Sequence, residues 1–494
     1  MHTTTPVEDG LSSIESSRPM PLTNALAANA MGTADLVFTV LAALAPLTLI
    51  VAVAPLHFLK GGSAVPGGYL IAGCIMALFA VGYMAISRHV QNAGAFYSVI
   101  AKGLGRPVGA GSAAVALVAY NALQISTYGA FGVYASDTVG KLIGLALPWW
   151  FYALAAVVAV FTLGYRGIHT SAKVLACILV AEIAMLVLLA GAVVMDGSHG
   201  VPVQSFAPGN VLQPHNGAMF ALIFGAFMGF ESTTIFSEEA RGGHRTVRRA
   251  TYLAVGFIAV FYALMSAVIV AAYGVDQIQA QAEADPINLV VNLFTRYTSP
   301  LLVDVMNVLL LGSAFAALLA LHNVANRYFY AMGREGLLPR HLAVTHAKRH
   351  SPWLAGLVQS VMALLFIGLT VIFGVDPYLG LLLWGSALGM LGIILLWALC
   401  SFAVLLYLRR HRQGEGLWTA TLAPATSFLA LSLILGLALA NIALLTGASD
   451  LINSLLLGCA GLAFVAGVAA ALRLRSRHPQ RYAQFAHQKT GNQP

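Results

Sequence analysis

The stretch ALIFGAFMGFESTTIFSEEARGG, residues 221–243, reads as a membrane helix that is interrupted near its middle. Gly225 and Gly229 interrupt the apolar run, and Glu231 follows them well before the charged end of the stretch. Glycine weakens a helix interior, and a carboxylate inside a bilayer costs free energy unless it is paired, hydrated or protonated. The stretch therefore predicts a broken helix that lines a polar site at mid-depth in a membrane.

The whole chain has the composition of an integral membrane protein. Of its 494 residues, 59% are hydrophobic and only 9% are charged, and the mean hydropathy is +0.82. Ordinary soluble domains carry about 25% charged residues. The formal net charge of +8 lies in short loops between apolar runs, not on one basic face. We therefore expect the lipid bilayer as a partner and no nucleic acid.

Common motifs of catalysis and metal binding are missing from the sequence. It contains no HExxH pair, no P-loop and no metal-type cluster within the apolar runs. The four cysteines are scattered in apolar segments without CxxC spacing, and we expect them to be buried as small hydrophobic side chains. These observations predict a protein that is not an enzyme and uses no cofactor or metal.

Twelve apolar runs are long enough to cross a bilayer core of about 30 Å, which takes roughly 20 helical residues. They cover residues 35–58, 67–87, 107–135, 147–166, 171–195, 216–237, 249–273, 299–325, 353–374, 379–407, 419–445 and 449–472. The sequence therefore predicts an all-α integral membrane protein with one transmembrane domain over residues 33–473. Tails at residues 1–32 and 474–494 lie on the same side of the membrane, because the number of spans is even.

The distribution of basic residues predicts the orientation, since cytoplasmic loops carry an excess of lysine and arginine. With the N-terminus in the cytoplasm, all but three of the 26 lysine and arginine residues fall inside. The exceptions are Lys60, Lys141 and Arg296. We therefore expect a multi-pass protein of the cytoplasmic (inner) membrane with both termini in the cytoplasm.

A second interruption lies five spans before the first. Pro46, in LAALAPLTLIVAVAP, lacks an N–H group and breaks the first span. Paired interruptions in corresponding spans of two halves are typical of transporters built from inverted repeats, with a binding site at the bilayer midplane. The repeats cover about residues 35–195 and 216–407, followed by two extra helices at 419–472.

Three stretches resemble the amino acid–polyamine–organocation superfamily. GAFMGFESTTIFSEEARGGHRTVRRATYLAV, residues 225–255, is similar to the sixth span and following loop of that family. SAFAALLALHNVANRYFYAMGREGLLPRHLAVTHAKRHSPW, residues 313–353, resembles its eighth span and cytoplasmic loop, and SRHVQNAGAFYSVIAKGLGRPVGAGSAAVALVAYN, residues 87–121, its second-to-third-span region. The resemblance runs from about residue 35 to 410.

The resemblance implies a LeuT-type fold of five-plus-five inverted repeats, with discontinuous helices 1 and 6 that meet at the substrate. It also implies alternating-access transport of amino acids or related amines. Many family members carry a GSGIF-like break in the first span, whereas this chain has ALAPLTLI. The residues expected to bind substrate are Pro46, Leu47, Thr48, Tyr120, Gln124, Gly225, Phe227, Gly229, Phe230 and Glu231.

Two glutamates lie at mid-depth and have alternative roles. Glu182 is eleven residues past Ser171, about 16 Å along the fifth span at the helical rise. It either carries the coupling proton or forms a neutral hydrogen bond to a neighbouring helix. The resemblance implies that Ser313, in the eighth span, faces the same coupling site. Glu231 either senses a substrate amine, relays protons, or caps free N–H groups of the broken helix.

The other candidate side chains also have two interpretations. Phe227 and Phe230 flank the interruption, where a ring either gates the substrate or packs in the core. Tyr120 and Gln124 lie four residues apart on one face of the third span, and they contact either substrate or neighbouring helices.

We therefore predict a secondary transporter that imports an amino acid, with a proton as the coupling ion. A polyamine or amine carrier and an amino acid exchanger are the alternatives within transport. A nutrient sensor built on the same fold is a further alternative, although it predicts a larger signalling tail than these. The sequence leaves open which amino acid is carried, whether sodium replaces the proton, and the oligomeric state.

Overall fold

The computed structural model describes residues 29–88, 95–145, 147–166, 168–197, 200–237, 239–347, 349–411 and 414–486. Within these residues the chain is helical and contains no strand, and only Met31 and Ala240 form an isolated parallel bridge. Residues 1–28 and 487–494 of the two expected tails lie outside the described residues.

Fourteen helices carry the architecture of the described part of the chain. They are α1 (Thr33–Ala43), α2 (Ala54–Gly61), α3 (Val65–Ser87), α4 (Ala95–Leu104), α5 (Arg106–Ile143), α6 (Trp149–Arg166), α7 (Ile168–Asp196), α8 (Gly217–Gly225), α9 (His244–Tyr273), α10 (Pro300–Glu335), α11 (Trp353–Ile372), α12 (Leu383–Arg410), α13 (Ala423–Ala440) and α14 (Asp450–Arg477). Shorter helical turns connect them.

Eleven segments of the described chain are long and apolar enough to cross a membrane. The first, Thr33–Ser87, has 55 residues and includes both of the first two predicted spans. The other ten segments each correspond to one predicted span. Two helices extend well past the expected ends, since α5 continues to Ile143 and α10 to Glu335. The protein is therefore an all-helical bundle whose long helices can span a membrane, and the number of twelve spans stays a prediction.

The first predicted interruption is confirmed between α1 and α2. Helix α1 ends at Ala43, and Ala45 adopts a left-handed backbone with φ +45°. Pro46 then starts a short turn, which continues into a wide π-helical turn at Leu49–Val53 before α2 begins. Proline disfavours helical backbone at the preceding residue and supplies no N–H group, so the ladder of helical hydrogen bonds stops here.

The second predicted interruption, in the stretch at residues 221–243, is also confirmed. Helix α8 ends at Gly225, and Gly229 has φ +115°, a backbone conformation that glycine adopts without strain. A short 3₁₀ turn, Phe230–Thr234, follows. The chain therefore crosses the middle of the bundle here as turns and not as continuous α-helix.

The outer surface of the bundle is rich in large apolar side chains. Many leucines and valines on α7, α9, α11 and α14 are exposed, as expected for helices that face lipid. The expectation that the cysteines are buried was wrong for three of the four. Cys400 is buried, but Cys74, Cys177 and Cys459 are exposed. They lie on apolar helix faces that point outward, where a small hydrophobic side chain is equally well accommodated by lipid.

Candidate functional site

Four of the residues predicted from the sequence meet at the first break. The carboxylate of Glu182 accepts a hydrogen bond from the backbone N–H of Leu47 at 3.1 Å. The next N–H, of Thr48, donates to the hydroxyl oxygen of Ser313 at 3.2 Å. Both N–H groups lie in the first turn after the break at Ala45 and Pro46, where the first N–H groups of a helix have no helical carbonyl to bond. Side chains from α7 and α10 thus satisfy the backbone that the break exposes.

The carboxyl group of Glu182 is only partly satisfied by these contacts. Its side chain is fully buried, and its second oxygen, Oε1, has no hydrogen-bond partner among the described residues. An unmade hydrogen bond of a buried polar group costs about 1–3 kcal/mol. A proton on Oε1 would make the group neutral, and a neutral carboxyl is far easier to accommodate in this environment.

Glu231 caps the second break. Its Oε2 accepts from the N–H of Gly229 at 2.9 Å, and its Oε1 accepts from the hydroxyl of Tyr120 at 2.6 Å. The carboxyl group is fully buried. Of the roles considered for Glu231, capping of the broken backbone is therefore observed directly, and Tyr120 on α5 holds the cap in place.

The two phenylalanines that flank this break are packed in the core. Phe230 lies edge-on to Phe79 with ring centroids 5.8 Å apart, and 5.9 Å from the ring of Trp397. Phe227 lies 6.4 Å from Phe224. Both are fully buried. In this conformation neither ring lies at the cavity described below.

Gln124 connects three helices. Its amide nitrogen donates to the Tyr128 hydroxyl at 3.2 Å and lies 3.4 Å from Nδ1 of His322 on α10. Its amide oxygen accepts from Gln359 on α11. The structure thus shows interhelical hydrogen bonding, the second of the two roles considered for this polar face.

A cavity of about 270 Å³ lies where the two broken helices meet. The first break contributes Ala45, Thr48 and Leu49 to its wall, and the second contributes Gly225, Ala226 and Met228. Two of the predicted substrate residues, Thr48 and Gly225, therefore line it. The other eight, Pro46, Leu47, Tyr120, Gln124, Phe227, Gly229, Phe230 and Glu231, do not.

Much of the cavity wall was not expected from the sequence. Its polar members are Thr48, Thr127, Tyr134, Tyr378 and Ser386, and no charged side chain is among the described residues that line it. The remaining wall is mostly aliphatic, with further side chains from α5, α10 and α12. Among these unexpected residues, those that adjoin the two interruptions, such as Leu49, Ala226 and Met228, carried a sequence signal that could have identified them.

An ion pair holds two segments of the chain together on the side of the breaks that faces away from the cavity. Arg327 on α10 donates to both oxygens of Glu239, at 2.5 Å from Nε and 2.9 Å from Nη2. The side chains are 4% and 2% exposed, and the guanidinium lies 4.6 Å above the ring of Phe236. Two backbone hydrogen bonds hold Met31, just before α1, at the same place: its N–H donates to the Glu239 carbonyl, and its carbonyl accepts from the N–H of Arg241.

The site is therefore an apolar cavity bounded by two interrupted helices, with one buried carboxyl behind each break. Such a cavity can hold a small molecule with an apolar part, and the exposed backbone turns can meet its polar groups. No cluster of His, Cys, Asp or Glu placed to hold a metal ion occurs in the part of the chain that the structure describes.

Comparison with known proteins agrees with this architecture. The sequence profile of a family described as "Amino acid permease" matches residues 25–464, which is most of the chain. A protein of Mycobacterium tuberculosis named as an uncharacterized transporter is 31% identical over 211 residues, which are 42% of this chain and 46% of that protein. The chain thus matches just under half the length of this relative.

Two relatives carry more specific names. A branched-chain amino acid permease of Lactococcus lactis is 24% identical over 334 residues, which are 62% of this chain and 69% of that protein. A branched-chain amino acid permease of Bacillus subtilis is 26% identical over 206 residues, or 41% of this chain and 42% of that protein.

Proposed function

Since the chain belongs to the amino acid permease family and is a multi-pass membrane protein, we propose that it imports a neutral aliphatic amino acid together with a proton. The observation that carries the proposal is the cavity between the two broken helices, whose described lining has no charged side chain. The residues that bind substrate are those of the two breaks, above all Thr48 and Gly225, helped by the aliphatic wall.

The chemistry of the wall favours an aliphatic amino acid over a polyamine. A polyamine carries several positive charges, and removing them from water requires carboxylates at the site. Glu182 and Glu231 both lie outside the cavity wall and accept hydrogen bonds from other groups. A leucine-sized side chain gains about 1.5–3 kcal/mol from burial against such a wall. The names of the two branched-chain permeases point to the same substrate class.

Glu182 is the proposed proton carrier, with Ser313 as its partner at the break. Its Oε2 accepts from Leu47 while Oε1 is unpartnered. Leu47 directly precedes Thr48, which lines the cavity. Protonation of Glu182 therefore acts on the backbone segment that also contacts substrate. Such a linkage is what coupled transport requires, because each ligand must bias the same conformational equilibrium.

The proposed architecture is the LeuT-type arrangement of twelve spans in the cytoplasmic membrane, with both termini in the cytoplasm. As one straight helix, the 55 residues of Thr33–Ser87 would measure about 80 Å, far more than a bilayer core of about 30 Å. Two passes therefore fit this segment. In this orientation the cavity lies in the outer half of the membrane, and the Arg327–Glu239 pair closes the cytoplasmic side. This geometry supports alternating access with an outward-facing cavity.

The proposal is tested with purified protein in liposomes. With the outside more acidic, radiolabelled leucine should accumulate against its gradient, and excess unlabelled putrescine should not compete. Glu182→Gln should abolish uphill accumulation but still exchange internal for external leucine. Uptake of putrescine instead of leucine would refute the substrate class. Uptake only when the liposomes contain an amino acid would identify an exchanger, and sodium dependence without a proton requirement would refute the coupling ion.

A further inference from the structure

The last described residues of the chain fold back against α4. Helix α14 ends at Arg477, and a short helix, Pro479–Gln484, follows it. The next residue, Phe485, is only 2% exposed. Its ring stacks on the ring of Tyr97 on α4, with centroids 5.9 Å apart and an interplanar angle of 26°. The end of a chain is ordered when contacts of this kind tie it down. We call residues 479–486 the C-terminal anchor.

The first residue of α5 also binds the C-terminal anchor. Nη2 of Arg106 donates a hydrogen bond to the carbonyl of Ala483 at 2.8 Å. The carbonyls at the end of a helix have no helical N–H partner, and basic side chains commonly bond them. The same guanidinium lies 5.2 Å from the ring centroid of Tyr482, within cation–π range. The anchor is therefore attached to the start of α5 as well as to α4.

A row of aromatic rings leads from the C-terminal anchor to the middle of the bundle. The ring of Tyr97 lies 6.3 Å from that of Tyr328 on α10. Tyr328 directly follows Arg327, the cation of the buried ion pair. Tyr328 also lies 5.3 Å from the ring of Tyr120, whose hydroxyl bonds Glu231 at the second break. The anchor is thus in contact, through α4, with the part of α10 that carries the ion pair.

Helix α4 contacts the second break on another side. Phe96 on α4 packs edge-on against Phe79 on α3, with centroids 6.5 Å apart, and Phe79 packs in turn against Phe230. Helix α4 also packs against the 3₁₀ turn that contains Phe230. The chain runs from this turn to Glu239, the anion of the ion pair. Helix α4 therefore spans the two segments that must separate when the ion pair breaks.

We propose that the C-terminal anchor is a brake on opening toward the cytoplasm, docked in this structure and released when the bundle opens. The brake rests on the alternating access proposed above and adds the segment that controls it. With the ring of Phe485 against Tyr97, α4 holds α10 and the second break together. When the ring leaves, α4 is free to shift, and Arg327 separates from Glu239.

The size of the docked surface suits a reversible contact. Phe485 and Ala486 are buried, whereas Arg481, Ala483 and Gln484 are exposed. Burial of one phenylalanine ring shifts a docking equilibrium by about ten- to a hundredfold. The released state is then populated at about 1–10%, which is in the range of minor conformations that ligands and partners select.

The test measures access to the second break from the cytoplasmic side. The reporter is Ser232→Cys, at a buried position beside that break, in a chain without its four native cysteines. A membrane-impermeant maleimide is applied to inside-out vesicles. Phe485→Ala should label about tenfold faster than the parent, and Arg106→Gln should also label faster. Gln484→Ala changes an exposed side chain next to Phe485 and is the matched control, which should label at the parent rate.

The outcomes separate the brake from the proposed function. Labelling of Phe485→Ala at the parent rate, or equal acceleration by Gln484→Ala, would refute the brake. Faster labelling of Phe485→Ala together with loss of its single cooperative thermal transition would also refute it and assign the ring a structural role. Leucine uptake by the parent is measured separately in liposomes. If the parent carries no leucine, the proposed substrate is wrong, and the labelling rates alone still decide whether the anchor is a brake.

Discussion

Replacing Arg327 with methionine tests how the cytoplasmic side of the bundle is held closed. The substitution keeps an apolar side chain against Phe236 but leaves the buried carboxylate of Glu239 without its cation. Arg327 makes two charge-assisted hydrogen bonds to that carboxylate, at 2.5 and 2.9 Å, and both side chains are almost fully buried. Removing one partner of a buried ion pair costs about 3–5 kcal/mol, because the other charge stays in a poor solvent.

This loss of free energy destabilises the conformation in which Arg327 and Glu239 are in contact, relative to conformations in which they are apart. A loss of about 3 kcal/mol changes a conformational equilibrium on the order of a hundredfold. Arg327→Met should therefore lower the thermal stability of the purified protein and increase access to the breaks from the cytoplasmic side. Replacing both partners, with Glu239→Gln added, should restore much of the lost stability, since no charge is then left buried.

The access is measured with a cysteine at position 232, Ser232→Cys, in a chain from which the four native cysteines have been removed. Ser232 is buried next to the second break. A membrane-impermeant maleimide applied to inside-out vesicles should label it faster in Arg327→Met than in the parent. Arg334→Met, two turns further along α10, is the matched control and should label at the parent rate. Unchanged melting temperature and labelling in Arg327→Met would refute the closing role of the pair.

Three further substitutions follow from the site and the packing. Tyr120→Phe removes the 2.6 Å hydrogen bond to Glu231 and should lower the free energy of unfolding by about 1–3 kcal/mol. The measurement is the melting temperature in detergent, which should fall. An unchanged melting temperature would mean that the cap on the second break does not need this hydroxyl. Gly225→Val narrows the cavity, because the added side chain occupies space that CH₂ groups of the bound leucine would otherwise fill. Each CH₂ group that leaves the cavity costs about 0.8 kcal/mol, so leucine binding should weaken by about 1–2 kcal/mol, or roughly tenfold. Equilibrium binding measures the effect, and wild-type affinity in folded protein would exclude Gly225 from the site. A Cβ at position 73 on α3 would lie 2.2 Å from the Cβ of Ala259 on α9, so Gly73→Ala should destabilise the protein by about 1–3 kcal/mol through overpacking. Gly256→Ala, also on α9, should not, because no atom lies within 4 Å of the added Cβ. Equal melting temperatures of the two variants would contradict the close crossing of α3 and α9.

Several features were predictable because they depend on local properties of the chain. Apolar runs of sufficient length predict membrane helices, since a helix satisfies its own backbone within lipid. The two interruptions were predictable because proline and glycine weaken a helix wherever they stand. The structure bears out both positions, at Pro46 and after Gly225. Glu231 was expected at the second break because it follows Gly225 and Gly229 closely, whereas the depth of Glu182 in its span did not indicate that it contacts the first break.

The cavity wall could not be read from the sequence in the same way. Side chains such as Thr127 on α5, Ala317 on α10 and Met390 on α12 come from separate helices, and nothing in their own segments distinguishes them from packing residues. Conversely, the sequence favoured Phe227, Phe230 and Gln124 as substrate residues, but they lie outside the cavity wall in this structure. They lie close to the break or on a polar face in sequence, but helix rotation directs them into the core or toward other helices.

The sequence alone therefore determined that the protein is a helical membrane bundle, where its helices break, and that two carboxyls lie at mid-depth, one of them beside the second break. Only the tertiary structure decided which atoms those carboxyls contact. Glu182 accepts from a backbone group 135 residues away, and Glu231 from Tyr120, which is 111 residues away. The physical reason is that helix breaking and membrane insertion depend on neighbouring residues, whereas a cavity and its hydrogen bonds depend on how separate helices rotate and cross.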